Sequence, residues 1–416
     1  MHLLNTRRAV CLLAPLLIFC SCHVTYVSFR PEQNVVHNDT AIATRIYMDR
    51  YGDLYPDTAV SININRFRVN GKASSKTVAS LSHYFLSRQK RLKRLREFYG
   101  VSADSSAAAA YREVQRRIRA RYADRIYQTI IAQQAGRLVY LVHGFNDTMA
   151  EQEYVQLRDT IMHKHYPPDR KPVYADIHWD GLNAHTFDGL PVAKVWGAAM
   201  LNSRFASISL RNLMTAVEQK TKIHTIIITH SLGGGVALGA LFNTTHKWDL
   251  LNLITPERDK ERLKSLMLSP TPMVPLRIGV VAPAIPGEST FIDFNRRGAV
   301  IIEPPQNNIG REVVGYNYKD YAVSKLLMDV NLSAIYGSTS LGCNLTIEGR
   351  SAIDNVMDDM DKLHYGKNTA IIVPLEFQTP LRINPPLLEK GTREHAFCYY
   401  IANPMMDSLL DELFKD

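Results

Sequence analysis

The chain has 416 residues, 46% of them apolar, and a formal charge of +9; this is an ordinary globular composition that can bury a large core, with length alone suggesting two or three domains. The charge is uneven, because residues 66–137 hold 17 Lys plus Arg against Glu97, Asp104, Glu113 and Asp124, a local +13 that leaves the rest near −4. That stretch carries no recognisable aromatic-interleaved basic motif of the kind that binds nucleic acid, so nucleic acid is not expected as a partner.

At the start of the chain, Arg7-Arg8 precedes an apolar run from Ala9 to Phe19. That run is shorter than the roughly 20 residues of a membrane-spanning helix and follows the pattern of a secretory signal. Phe19-Cys20-Ser21-Cys22 then places a small residue before a cysteine and resembles a bacterial lipoprotein box. The resemblance implies a signal peptide over 1–21, with Cys22 as the acylated first residue of a mature protein held at a membrane of the cell envelope. Cleavage by an ordinary signal peptidase, giving a secreted protein, is the alternative. Cys11 and Cys20 leave with the signal, while Cys343 and Cys398 remain in an oxidising compartment, where they could form one disulfide or stay as two free thiols.

Residues 22–40 read as a polar tether, and 41–136 as a strand plus a basic helical extension. Tyr51-Gly52-Asp53-Leu54-Tyr55-Pro56-Asp57 is turn-like, and the alternating Val60-Ser61-Ile62-Asn63-Ile64-Asn65 predicts a strand added at a sheet edge. Two helices follow. One carries an apolar stripe of Val78, Leu81, Phe85, Leu92, Leu95 and Phe98, stopped at Gly100, and the other Tyr111, Val114, Ile118, Tyr122, Ile126 and Ile130, stopped near Gly136. The basic residues occupy the opposite faces. They are solvated surface, a contact for anionic phospholipid or lipopolysaccharide, or a means of drawing anionic substrates toward the protein.

From Arg137 onward strands and helices alternate. Leu138–Val142, Val173–Trp179, Thr225–Thr229, Leu276–Ala282, Val313–Asn317 and Thr369–Leu375 read as strands. Their spacing implies right-handed crossovers and an α/β fold with a mainly parallel sheet covered by helices on both faces, spanning 137–416. Ligands in such sheets bind at the carboxyl ends of the strands.

Two of those ends carry chemistry. Thr225 to Gly235 reads as strand, sharp turn and helix, with Ser231 at the turn of His230-Ser231-Leu232-Gly233-Gly234. A serine becomes a nucleophile when the backbone presses it out, a base takes its proton and backbone amides hold an oxyanion. The second end, His143-Gly144-Phe145-Asn146-Asp147, follows the strand at Leu138–Val142, where a loop can supply one oxyanion amide; the donors are then the amides of Phe145 and Leu232. Together these motifs resemble the lipase and esterase side of the α/β-hydrolase superfamily, over about two thirds of the chain. Trp179-Asp180-Gly181 is similar to the Trp-Pro-Ser-type segment of an uncharacterised bacterial branch of it. Thr229 departs from the glycine or alanine of the family's elbow and adds a branched side chain where space is tight.

The resemblance implies a triad in the order Ser, acid, His. Asp320, in the polar turn after Val313-Val314-Gly315-Tyr316-Asn317, is the acid, with Glu303 as runner-up and Asp293 behind it. His395, beyond the last strand, is the base; His364 precedes that strand, and His230 is read as a packed structural residue pointing away from the site. No metal or other cofactor is required. A charged insertion over 243–275, carrying Trp248, Leu250, Leu251, Leu253 and Ile254, lies where a lid sits in such folds, or is a plain surface helix. The expected protein is an exported serine hydrolase acting on an acyl ester, with thioesters and amides as neighbouring substrates. A non-catalytic envelope protein that uses the scaffold to bind anionic surfaces is the competing reading.

Overall fold

The computed structural model describes residues 26–27, 42–63, 68–69, 80–145, 150–164, 171–181, 190–242, 259, 261–263, 266, 269–270, 272–287, 309–324, 326–327, 330–331, 339–344, 346–347, 350–364, 371–378 and 395–415. Cys22 and the signal sequence, Val78, Glu303, Asp293 and the apolar residues from Trp248 to Ile254 lie outside them.

Seven strands form one sheet: β1 (Ala43–Tyr47), β2 (Arg137–Val142), β3 (Pro172–His178), β4 (His224–His230), β5 (Leu276–Val281), β6 (Ile309–Tyr316) and β7 (Ile371–Glu376). Their spatial order is β7-β6-β5-β4-β2-β3-β1, and every pairing is parallel. Parallel strands cannot be joined by tight turns, so helical crossovers cover both faces. Alternate residues of each strand divide between two cores. Leu138, Tyr140, Val142 and Ile227 join one with α3 (Ala107–Gln133), α5 (Leu190–Glu218) and α6 (Gly233–Phe242). Val139, Leu141, Ile226 and Ile228 join the other with α4 (Ala150–Lys164) and α9 (Pro404–Phe414). Burying each such Leu, Ile or Val contributes roughly 1.5–3 kcal/mol, which is why apolar residues occupy both faces of the central strands. Pro374 lies on β7 at the edge of the sheet, where a missing N–H leaves no ladder incomplete.

The chain passes from β2 to β3 on one side and then to β4 on the other side of β2. Loops leaving β2 and β4 therefore diverge and open a crevice at their carboxyl ends.

The N-terminal region departs from expectation in two ways. The strand at the sheet edge is Ala43–Tyr47, before the Tyr51–Asp57 turn rather than after it. Over 60–63 burial alternates as expected, but the Val60 amide closes a turn onto the Asp57 carbonyl at 2.8 Å and the Asn63 amide donates to the Tyr84 hydroxyl at 3.0 Å, so those donors never enter a ladder. The first helical stripe is also broken into α1 (Leu81–Leu86) and α2 (Gln89–Tyr99), because Arg88 takes an extended conformation. The break changes the phase, burying Tyr99 and leaving Phe98 exposed. Gly100, at φ 65°, ends α2 as its sequence suggests, whereas α3 ends at Gln134, φ 50°, ahead of Gly136.

Tyr111, Val114, Ile118, Tyr122, Ile126 and Ile130 of α3 share one core with the sheet. Many basic residues opposite them are engaged: Arg117 donates to the carbonyls of Tyr99 and Gly100, Arg121 lies over the rings of Phe98 and Tyr99, and Arg91 over Tyr84. Arg88, Lys90, Lys93 and Arg94 remain on the exposed face. Both Cys343 and Cys398 are free thiols.

Candidate active site

Ser231 follows β4 directly, at φ 53°. A left-handed serine costs free energy that the surroundings must offset. They do so by hydrogen bonding: the Ser231 amide donates to the Val281 carbonyl at 2.9 Å, and its own carbonyl accepts from Gly234 at 3.1 Å and Ala284 at 3.0 Å. Glycine is required around this turn for reasons of space. A Cβ at Gly233 would stand 2.5 Å from the Val142 carbonyl oxygen, and one at Gly144 would stand 2.7 Å from the Ser231 Cβ. Thr229, the irregular residue of the motif, is fully buried without crowding the turn, since even a Cβ at Gly234 would lie 3.7 Å from its Oγ1.

The three residues expected to act together are brought together. His395 Nε2 lies 2.8 Å from Ser231 Oγ, and His395 Nδ1 lies 2.6 Å from Asp320 Oδ2. Asp320 stands at the N-terminus of the short helix α7 (Tyr321–Ser324), where its Oδ1 accepts from the amides of Ala322 at 2.9 Å and Val323 at 3.4 Å. That is ordinary helix capping, and it leaves Oδ2 for the imidazole. Burial pushes the Asp320 carboxyl up, but the neighbouring His395, its hydrogen bond, and the bonds from Tyr400 and Ala322 outweigh burial and hold it below the usual carboxylate range. An ionised Asp320 accepts a hydrogen bond from Nδ1–H, which keeps the ring proton there and leaves Nε2 bare to accept from the serine hydroxyl.

Among the described residues, neither the Phe145 nor the Leu232 amide donates a hydrogen bond. Both are therefore available to an oxyanion beside Ser231. The loop bearing Phe145 is clamped from β3. Trp179 donates its backbone N–H to His143 Nε2 at 3.1 Å and its indole N–H to the His143 carbonyl at 2.7 Å. With Nε2 accepting, the ring proton sits on Nδ1 and donates to the Gly144 carbonyl at 2.8 Å. The Gly144 carbonyl and the Phe145 N–H belong to one planar peptide, so holding one orients the other.

His230 does not point away from this cluster. It stacks on Phe397 at 4.9 Å, with its ring 4.8 Å from that of His395. The segment after His395 folds back over β4 as α8 (Phe397–Ile401), and this places Phe397 on His230. Burial, followed by the nearby His395, holds the His230 imidazole well below its ordinary value, so it packs here as a neutral ring.

Two further residues at the site carry no motif. Tyr400 donates its hydroxyl to Asp320 Oδ2 at 2.5 Å, and Glu153 of α4 accepts the Cys398 amide at 2.9 Å, satisfying a first-turn donor of α8. Neither is detectable from local sequence, since each partner lies on a distant element. Only the closing part of the 243–275 insertion is described. There Leu263 packs on Leu201, Phe205 and Ile208 of α5, and Arg262 lies over Tyr51 and pairs with Asp53 at 3.3 Å. Among the described residues no three His, Cys, Asp or Glu side chains converge as around a metal ion. No family model, curated protein or solved structure matches the chain.

Proposed function

We propose that the protein is an exported serine hydrolase of the α/β-hydrolase superfamily that cleaves carboxylic esters through an acyl-enzyme. The observation that carries this is the unbroken hydrogen-bonded chain from Asp320 through His395 to Ser231, ending on a serine in left-handed backbone at the carboxyl end of a central strand. Ser231 Oγ attacks the acyl carbon while His395 Nε2 takes its proton, and Asp320 holds the imidazole in that tautomer and stabilises the imidazolium. Negative charge develops on the former carbonyl oxygen, toward which the Phe145 and Leu232 amides donate. His395 returns the proton to the leaving alcohol, and water, deprotonated by the same base, releases the acid and frees Ser231.

A fluorophosphonate probe tests this without knowledge of the substrate. The wild type should be labelled, and Ser231→Ala and His395→Ala should not; an unlabelled wild type, or equal labelling of Ser231→Ala, would leave a non-catalytic protein. Nitrophenyl esters of graded chain length would then define the acyl preference.

The location proposed is a membrane of the cell envelope, by acylation of Cys22. No helix among the described residues is long and apolar enough to cross a membrane. The exposed Arg88, Lys90, Lys93 and Arg94 offer anionic headgroups a complementary face. Cys22→Ala should move the protein from the membrane to the soluble fraction, and its retention would refute the anchor.

A further inference from the structure

Asp320 Oδ2 accepts two hydrogen bonds: His395 Nδ1 at 2.6 Å and the Tyr400 hydroxyl at 2.5 Å. The other oxygen is already committed to the amides of Ala322 and Val323. A triad acid needs only the capping amides and the imidazole to be held in place, so the phenol is additional. It is also buried, with its ring against Phe377 at 5.3 Å and His230 at 5.7 Å. Tyr400 and His395 leave the same short segment, five residues apart, and converge on one oxygen atom. Resting on the hydrolase assignment above, we propose that Tyr400 is a positioning residue that anchors the His395 segment to Asp320 and sets how much of the Asp320 charge is available to the imidazole.

Each donor to a carboxylate oxygen withdraws part of its charge, and charge-assisted bonds are the strong ones. With Tyr400 in place, Oδ2 divides its charge between phenol and imidazole. Without it, the whole of that charge faces His395 and favours the imidazolium. No other described charged group competes within this cluster. His230, from β4, faces His395 as a neutral ring, and Glu153, from α4, spends one oxygen on the Cys398 amide. The second donor thus takes part of the Oδ2 charge that would otherwise fall on the imidazole.

Tyr400→Phe removes the hydroxyl and keeps the ring on Phe377 and His230. The rate of fluorophosphonate labelling of Ser231 is measured from roughly pH 5 to 9, where the acidic limb reports the essential base. In Y400F that limb should move to higher pH by about half a unit or more. In water, the far-downfield proton resonance of the His395 Nδ1–H should move as well. Incorporating 3-fluorotyrosine at position 400, a stronger donor of nearly the same shape, should move the limb the opposite way without depending on how well Y400F folds. Superimposable profiles, or a uniform drop in rate with an unmoved limb, would reduce Tyr400 to packing and overturn the proposal while leaving the hydrolase assignment intact. A wild type unlabelled at every pH would overturn both.

Discussion

Glu312→Gln should stabilise the protein above neutral pH and change it little near pH 5. Glu312 lies on β6 between Ile278 of β5 and Ile372 of β7, fully buried, and among the described residues neither carboxyl oxygen has a hydrogen-bond partner. Burial pushes its carboxyl up from an ordinary 4.5 to about 7. In the window between those values the native state binds a proton that the unfolded chain has released, so stability falls as pH rises through it and levels off above. The displacement corresponds to about 3 kcal/mol, at 1.36 kcal/mol per pH unit. Glutamine is neutral at every pH and keeps the shape, so whatever its unpartnered amide costs is constant. Urea unfolding of both proteins at about pH 5 and pH 8 isolates the charge: the difference between them should grow by about 2.5 kcal/mol in favour of Glu312→Gln, the remainder of the displacement falling below pH 5. Equal pH dependence in the two proteins would refute the buried, unpaired carboxyl.

Gly144→Ala places a Cβ 2.7 Å from the Ser231 Cβ and 3.1 Å from the His230 carbonyl, so fluorophosphonate labelling should fall by about a hundredfold, as when an oxyanion donor is lost, with circular dichroism unchanged; wild-type labelling would show that the loop is not held against the turn. Arg158→Leu leaves Asp176, paired to it at 2.6 Å and wholly buried, as an uncompensated charge, and urea unfolding should show a loss of about 3–5 kcal/mol. A loss under about 1 kcal/mol would mean that this pair behaves as an exposed one.

Much of the architecture was legible because its signals are local. Thr225 to Thr229 is β-branched, with the polar His224 before it and a glycine turn after it, so it reads as a buried strand wherever it sits. The order of His143, Ser231, Asp320 and His395 along the chain was readable for the same reason, each following its own strand. The N-terminal strand was misplaced because alternation at Val60–Asn65 was a stronger pattern than Ala43–Tyr47, and a half-buried irregular segment alternates just as a strand does. The break at Arg88 was invisible because apolar residues continue at helical spacing across it, from Phe85 to Leu92 and Leu95, and the change of phase shows only at Phe98 and Tyr99.

By itself the sequence determined the strands from Arg137 onward, the parallel sheet they imply, and the serine turn with its upstream loop, since these follow from periodicity, glycine positions and crossover length. Tertiary structure alone decided which distant side chains meet: Tyr400 on Asp320, Trp179 on His143, His230 beneath His395, and two cysteines kept apart. His395 and Ser231 are separated by 164 positions in the chain, and no local preference carries across that distance. Their contact, and that of the phenol behind them, is set by how α8 and the turn after β6 close over the carboxyl edge of one sheet.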